Sequence, residues 1–375
     1  MMLDCVVNDV VRCTTCLNMS TRPRISFDEF GRCNACQWVE EKKSLDWNSR
    51  QVELQALLES VKSKSTFNCV VPVSGGKDGS YVAHQLKHKY GVNPLCVTVR
   101  PPLEIDLGSK NLKNFIDSGY AHIHVSPCPD VMQKLNKLGF IHKGFPYYGW
   151  LIAIMTGVIR VAISMNIPLI FYGESGEVEY GGSTETKNTA IYNIEYMKRI
   201  YLESGYEKII QKASLTASEA YFFTFPTEDE IYSSQLAFAH WSYFEPWDSY
   251  RNYLVAKEYC GLFEQEETNS GTFTNFAQND QALYALHAYM MYLKFGFGRA
   301  TQDAGIEIRR GAMSREQAVN LVNLYDGHYP AEFIKQYLEY YQMTQQEFDD
   351  VLDKWVNKAL FEKQDGRWKS KFIVE

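Results

Sequence analysis

Two groups of residues in this 375-residue chain have types and spacings that could do chemistry. The first is Ser74-Gly75-Gly76-Lys77-Asp78-Gly79-Ser80. Glycines let a backbone approach an anion with no Cβ in the way. Successive N–H groups then form a nest, and a helix N-terminus beyond them adds its dipole. The hydroxyls of Ser74 and Ser80 and the ammonium of Lys77 suit phosphate oxygens. Asp78 suits a Mg²⁺ ion or a brace for the loop. The spacing is not G-x-x-x-x-G-K-[ST], nor is it the dinucleotide pattern G-x-G-x-x-G. A glycine-rich turn without a ligand is the plain alternative.

The second group is Cys13-x₂-Cys16-x₁₆-Cys33-x₂-Cys36. Each Cys-x-x-Cys lets two thiolates reach one tetrahedral ion, and four thiolates close the shell. The expected ion is a structural Zn²⁺, holding a segment too small for its own core. A redox pair or an iron–sulfur site shares the pattern. Of the nine cysteines, the other five, Cys5, Cys69, Cys96, Cys128 and Cys260, are scattered singly and read as packing residues. Scattered thiols in odd number fit a reducing compartment rather than a disulfide framework.

These groups need elements to position them. Phe67–Val73 reads as a buried strand entering the glycine turn, and Tyr81–Tyr90 as the helix leaving it. Further strands are expected at 95–99, 122–125 and 168–172, and helices at 50–62, 110–118, 129–138, 148–165 and 191–204. Tyr221–Phe225 is a candidate last strand. This alternation predicts an α/β fold with a doubly wound parallel sheet. Arg100, just past the 95–99 strand, would border a bound base. From Gln278 onward the pattern is helical, with capping boxes at Ser314-Arg-Glu-Gln317 and Thr344-Gln-Gln-Glu347. The expected organisation is a cysteine module over 1–45, the α/β domain over 46–260 and a helical region over 261–375.

Composition narrows the partners. Hydrophobic residues make up 45% and charged residues 22%, with a formal charge of -7. That is an ordinary globular balance, and its acidity disfavours a nucleic-acid partner. Met1–Asp4 lacks a signal-peptide pattern. The apolar stretch 150–165 is too short and interrupted to span a membrane. A cytoplasmic protein without a membrane partner is expected.

Other residues invite a role. Glu174, Glu177 and Glu179 lie after the 168–172 strand, where such sheets bind ligands. They suit a cation, ammonia or a base, or form a solvated acidic loop. Lys294, Arg299 and Asp303, with Arg309 and Arg310 beyond, suit an anionic substrate group or surface charge. The aromatics of 238–253 read as packing, with sugar stacking as the alternative. His84 and His88 read as surface residues.

Ser74–Ser80 resembles the pyrophosphate loop of N-type ATP pyrophosphatases, the HUP-like adenine nucleotide alpha-hydrolase fold. Taken with Thr21-Arg-Pro23, Phe27–Gly31, Leu107–Phe115, Phe171–Gly181 and Leu293–Asp303, nearly the whole chain resembles the N-acetyl sugar amidotransferases of bacterial surface-polysaccharide pathways. That resemblance implies ATP and Mg²⁺ at Ser74, Gly75, Gly76, Lys77, Asp78, Gly79, Ser80 and Arg100. It implies catalysis by Lys77, Asp78, Glu174 and Glu177, and sugar binding by Lys294, Arg299 and Asp303. The acetamido oxygen of a sugar or sugar nucleotide would be adenylylated. Ammonia from a separate glutaminase subunit would then displace AMP, leaving an acetamidino group. A tRNA-modifying sulfurtransferase of the same fold, and a non-catalytic subunit that retains it, are the rival readings.

Overall fold

The computed structural model describes residues 10–62 and 66–375; Cys5 and Met1–Asp4 lie outside them. Strands β1 (Cys69–Pro72), β2 (Pro94–Val99), β3 (His122–Val125), β4 (Leu169–Tyr172), β5 (Ile191–Tyr192) and β6 (Ala237–His240) form a sheet in the order β3-β2-β1-β4-β6-β5. All neighbours are parallel except β5, which runs antiparallel along β6. Val70 sits opposite Leu95 on one side and Ile170 on the other. The chain winds outward from β1 in one direction and from β4 in the other. This is the expected doubly wound sheet, with its topological switch between β1 and β4.

Both faces of the central strands are covered, which is why they read as unbroken apolar runs. Val70, Leu95, Val97 and Ile170 face one core with the helices Pro129–Lys143 and Tyr148–Ser164. Cys69, Val71, Cys96 and Phe171 face the other core with the helices Trp47–Val61 and Lys77–His84. Neighbouring residues alternate between the two, as a strand period of two requires.

The C-terminal helices Leu283–Phe295, Arg299–Arg309, Arg315–Tyr325, Ile334–Tyr341 and Gln345–Trp355 do not stand apart. Tyr337, Tyr341 and Phe348 join the first core, where Tyr341 stacks on Phe140 at 5.1 Å. Both expected capping boxes are formed, at Ser314 and Thr344. The chain closes on a hairpin, Phe361–Gln364 with Arg367–Ser370, where only helix was expected. Among the described residues no helix is long and apolar enough to cross a membrane.

Two expectations are corrected. Tyr221–Phe223 is a single turn of 3₁₀ helix, not a strand. Its Phe222 carbonyl accepts from Thr156 Oγ1 at 2.5 Å, and Phe223 fills the core beside that helix. The parallel strand in that stretch is β6, inside the aromatic segment. The 191–204 helix is also interrupted: Ile191–Tyr192 pairs with β6, and helix starts only after Asn193 caps Tyr196 N at 2.9 Å. In both places pairing partners distant in sequence overrode local propensity.

Candidate functional site

The glycine loop leaves β1 at the switch point. Gly75 has φ +76°, and a Cβ there would lie 2.6 Å from the Asn111 carbonyl carbon. Only glycine fits this crossing over the Asp106–Asp117 helix. Gly76 is extended and starts the Lys77–His84 helix, so the first N–H groups of that helix have no carbonyl partner within it. A Cβ on Gly79 would come within 2.6 Å of the Pro72 carbonyl oxygen. The helix is thereby seated directly on the strand end. Ser80 is 1% exposed and its hydroxyl makes no hydrogen bond.

Lys77 Nζ pairs with Asp78 Oδ2, and Asn252 Nδ2 donates to Asp78 Oδ1 at 3.1 Å. Glu174, at the end of β4, is the third charged group here. Tyr180 donates to its Oε1 at 2.9 Å. Burial raises the Glu174 carboxyl above its ordinary range, the Asp78 charge adds to that, and Lys77 opposes it. One cation between two carboxylates, at the mouth of an anion nest, suits a phosphate-bound divalent ion.

Beside the loop, between the ends of β1 and β2, is a cavity of about 180 Å³. Val97, Val99, Leu112, Trp150, Ile154 and Val158 give it an apolar side, and Pro72–Ser74 line it next to the loop. An apolar slot next to an anion nest suits a flat base and its phosphates. Trp150 Nε1 is anchored on the Val99 carbonyl at 3.1 Å. Asp280 also lines the slot, and burial pushes its carboxyl up to about 6. Sequence reasoning missed Trp150 and Asp280. Each reaches the slot from a distant segment, and no local motif marks either. Arg100 does not line the slot: its side chain is 57% exposed and pairs with Glu104.

The Gly173–Gly182 loop sorts its glutamates. Glu174 faces Lys77 and Asp78. Glu177 instead takes a bidentate pair from Arg24, at 2.9 and 2.7 Å, and accepts from Ser183 N at 2.6 Å. Glu179 accepts from Trp38 Nε1 at 2.9 Å and pairs with Lys42 at 2.7 Å. Glu177 and Glu179 therefore fasten the cysteine module to the sheet edge.

In that module the sulfurs of Cys13, Cys16, Cys33 and Cys36 all lie within 4.8 Å of one another. The Cys13–Cys36 and Cys16–Cys33 separations are 3.8 and 3.6 Å. Thiolates ~2.3 Å from a tetrahedral centre stand ~3.8 Å apart, so the quartet fits one ion. Cys16 N and Cys33 N donate to Cys13 Sγ at 3.4 and 3.2 Å, which favours a thiolate. Buried Arg309 adds a positive charge beside the cluster.

The three residues assigned to the sugar do not converge. Arg299 pairs with Asp303 at 2.9 Å and lines a cavity of about 1030 Å³. Asp303 is held by Thr272 at 2.6 Å and Thr274 at 2.9 Å. Lys294 donates to the Lys143 carbonyl at 2.9 Å and lines a separate cavity of about 220 Å³. Arg310 pairs with Glu307 at 2.8 Å. The aromatic segment is packing: Trp241 and Phe244 are fully buried. His84 is not a free surface residue, since it stacks on Tyr259 at 4.7 Å.

The sheet defines a doubly wound α/β protein whose glycine loop and apolar slot lie side by side at the strand ends. Residues 270–373 match the family described as LPS biosynthesis protein WbpG-like, C-terminal domain. That segment carries Gln281, Tyr284 and Arg299, which line the 1030 Å³ cavity, and Lys294, which lines the 220 Å³ cavity. Among solved structures, the U34-tRNA thiolase NcsA from Methanococcus maripaludis with its [4Fe-4S] cluster matches at 13% identity. The match covers 88% of this chain and 96% of that one, with a TM-score of 0.30. No curated protein matches.

Proposed function

We propose that this chain is an ATP-dependent, AMP- and pyrophosphate-forming N-acetyl sugar amidotransferase of lipopolysaccharide or related surface-glycan biosynthesis. One observation carries the reading. A glycine nest with Lys77, Asp78 and Glu174 at its mouth adjoins a slot, and the slot neighbours a cavity lined largely by a segment similar to a lipopolysaccharide-biosynthesis domain.

The chemistry follows from the groups present. An acetamido oxygen is a poor leaving group until it carries AMP. That oxygen attacks the α-phosphorus of ATP, and pyrophosphate leaves. Ammonia then adds to the amide carbon, a proton is lost, and AMP departs with the oxygen, leaving an acetamidino group. The Gly75–Gly79 backbone and Lys77 hold the phosphates and stabilise the departing charge. Ser74 and Ser80 supply hydroxyls to the same oxygens. Asp78 is the residue that would hold Mg²⁺, which would screen pyrophosphate charge. Glu174, with its raised carboxyl, is the best-placed acceptor for the proton ammonia loses. Zn²⁺ at Cys13, Cys16, Cys33 and Cys36 is structural, since four thiolates leave no open position. Ammonia comes from a glutaminase partner, and the reaction is cytoplasmic, where ATP is available. A thiolating role for the same loop is less well served, because Cys260, which lies against Ser80, is buried and pushed up to about 11.

The test is a product assay with ATP, Mg²⁺, ammonium and a panel of acetamido sugars. AMP and pyrophosphate that require one sugar and ammonium are expected. AMP formation indifferent to sugar would remove the amidotransferase reading.

A further inference from the structure

Leu103–Ile105 and Asp280–Ala282 run side by side, with Glu104 opposite Gln281 in an antiparallel bridge. Ile105 N donates to the Asp280 carbonyl at 3.1 Å, and Ala282 N to the Leu103 carbonyl at 2.9 Å. Asp280 and Glu104 line the apolar slot, while Gln281, Ala282 and Ile105 line the 1030 Å³ cavity. The paired segments thus line both cavities. The larger one is polar, with Thr268, Asn269, Ser270, Asn275 and Asn279 around it.

Gln281 is 1% exposed, yet neither its Nε2 nor its Oε1 completes a hydrogen bond. Its carboxamide lies near the Tyr284 hydroxyl, but that hydroxyl is directed to Asp280 Oδ2 at 3.4 Å. Ser270 Oγ in the same cavity is also buried and unpaired. A buried, unpaired amide is costly to keep. Gln281 lines the cavity, so a turn of its side chain would let a ligand there complete the amide.

We infer that the 1030 Å³ cavity is the acceptor-sugar site and that Gln281 reads two adjacent ring hydroxyls. A carboxamide presents a donor and an acceptor side by side. One hydroxyl of a vicinal pair accepts from Nε2–H while its neighbour donates to Oε1. A trans secondary amide points its N–H and C=O in opposite directions, so a single carboxamide engages only one of them. Gln281 therefore selects the sugar ring and leaves the acetamido group unengaged. Adenine would also satisfy a carboxamide, but the slot suited to a base lies on the Asp280 side. That the bound sugar is then amidinated rests on the function proposed above; its binding at Gln281 does not.

The test is Gln281→Leu in the full chain, read by acceptor KM, nucleotide affinity, melting temperature and calorimetric sugar binding. The panel is N-acetylglucosamine, N-acetylgalactosamine and N-acetylneuraminate, free and nucleotide-linked, with glucose and galactose as acetamido-free probes. Loss of two hydrogen bonds is expected to raise KM and weaken sugar binding about 30-fold. Nucleotide affinity should hold, and the melting temperature should hold or rise, because the amide has no partner to lose. Sugar binding that depends on Gln281 without AMP formation would remove the amidotransferase reading and keep this site. Unchanged sugar affinity would overturn the site, as would weakened nucleotide binding in its place, or no binding of any panel member to the wild type. A clear fall in melting temperature would also overturn it, because it would make the amide structural.

Discussion

The phosphate loop and the cysteine module are joined by the Gly173–Gly182 loop, and they direct their polar groups differently. At the phosphate loop, the first helix N–H groups have no partner within the helix, the Ser80 hydroxyl is unpaired, and charge gathers unevenly around Lys77. In the cysteine module the four sulfurs converge on one another. Asn18 Nδ2 donates to Cys33 Sγ at 3.4 Å and to the Tyr180 carbonyl at 3.1 Å, and Asn34 Nδ2 donates to the Gly182 carbonyl at 2.6 Å. The loop turns its donors toward an open nest, and the module turns its ligands toward one enclosed centre. The connecting loop serves both, giving Glu174 to one and Glu177 and Glu179 to the other.

The contrast is sharpest if single changes affect one property and spare the other. Lys77→Ala should lower AMP formation at least ~10³-fold, because it removes the ammonium at the loop mouth, with little change in melting temperature. An unfolded variant would erase the distinction. Cys13→Ala should do the reverse in order of cause. Bound zinc, measured by mass spectrometry, should be lost and stability should fall by more than about 4 kcal/mol. Full zinc content in a stable variant would refute the structural role.

Glu174→Gln should reduce turnover ~10²-fold while leaving stability intact or improved. The pH dependence adds a sign. Burial raises the folded carboxyl, so its base form develops only above the ordinary glutamate range. Wild-type turnover should therefore rise with pH through that titration, and the limb should vanish in Glu174→Gln. The same shift means that the folded state binds this proton more tightly than the unfolded state. Its contribution to stability is full at low pH and is lost as pH rises through the folded value. Denaturant titrations across pH should show that slope in wild type and a shallower one in the variant.

Glu177→Gln is the smallest effect. The Arg24 pair is partly exposed, at 33% and 14% for the two side chains. Its loss should cost about 1 kcal/mol and change turnover less than threefold. A hundredfold loss of turnover at constant stability would move Glu177 back among the catalytic groups.

How much was legible beforehand follows the same division. The glycine loop and the cysteine quartet could be read because each is a local pattern whose chemistry depends on spacing along the chain. The strands β1, β2 and β4 could be read because burial on both faces leaves continuous apolar runs. β6 was not: its Phe238 and neighbouring aromatics look the same whether they pack or stack. The Tyr221–Phe225 run has strong strand propensity but lies against a helix, where no strand edge is free to pair with it.

Sequence alone determined that an anion nest follows a buried strand and that four thiolates can close on one ion. Both depend on residues a few positions apart, whose backbone geometry is set locally. Only the tertiary structure decided which glutamate faces Lys77, that Arg299 and Lys294 line different cavities, and that Asp280 and Gln281 do so too. Those outcomes depend on which distant segments pack together. A side chain's role there is set by the partner it meets, and that partner is not written near it in the chain.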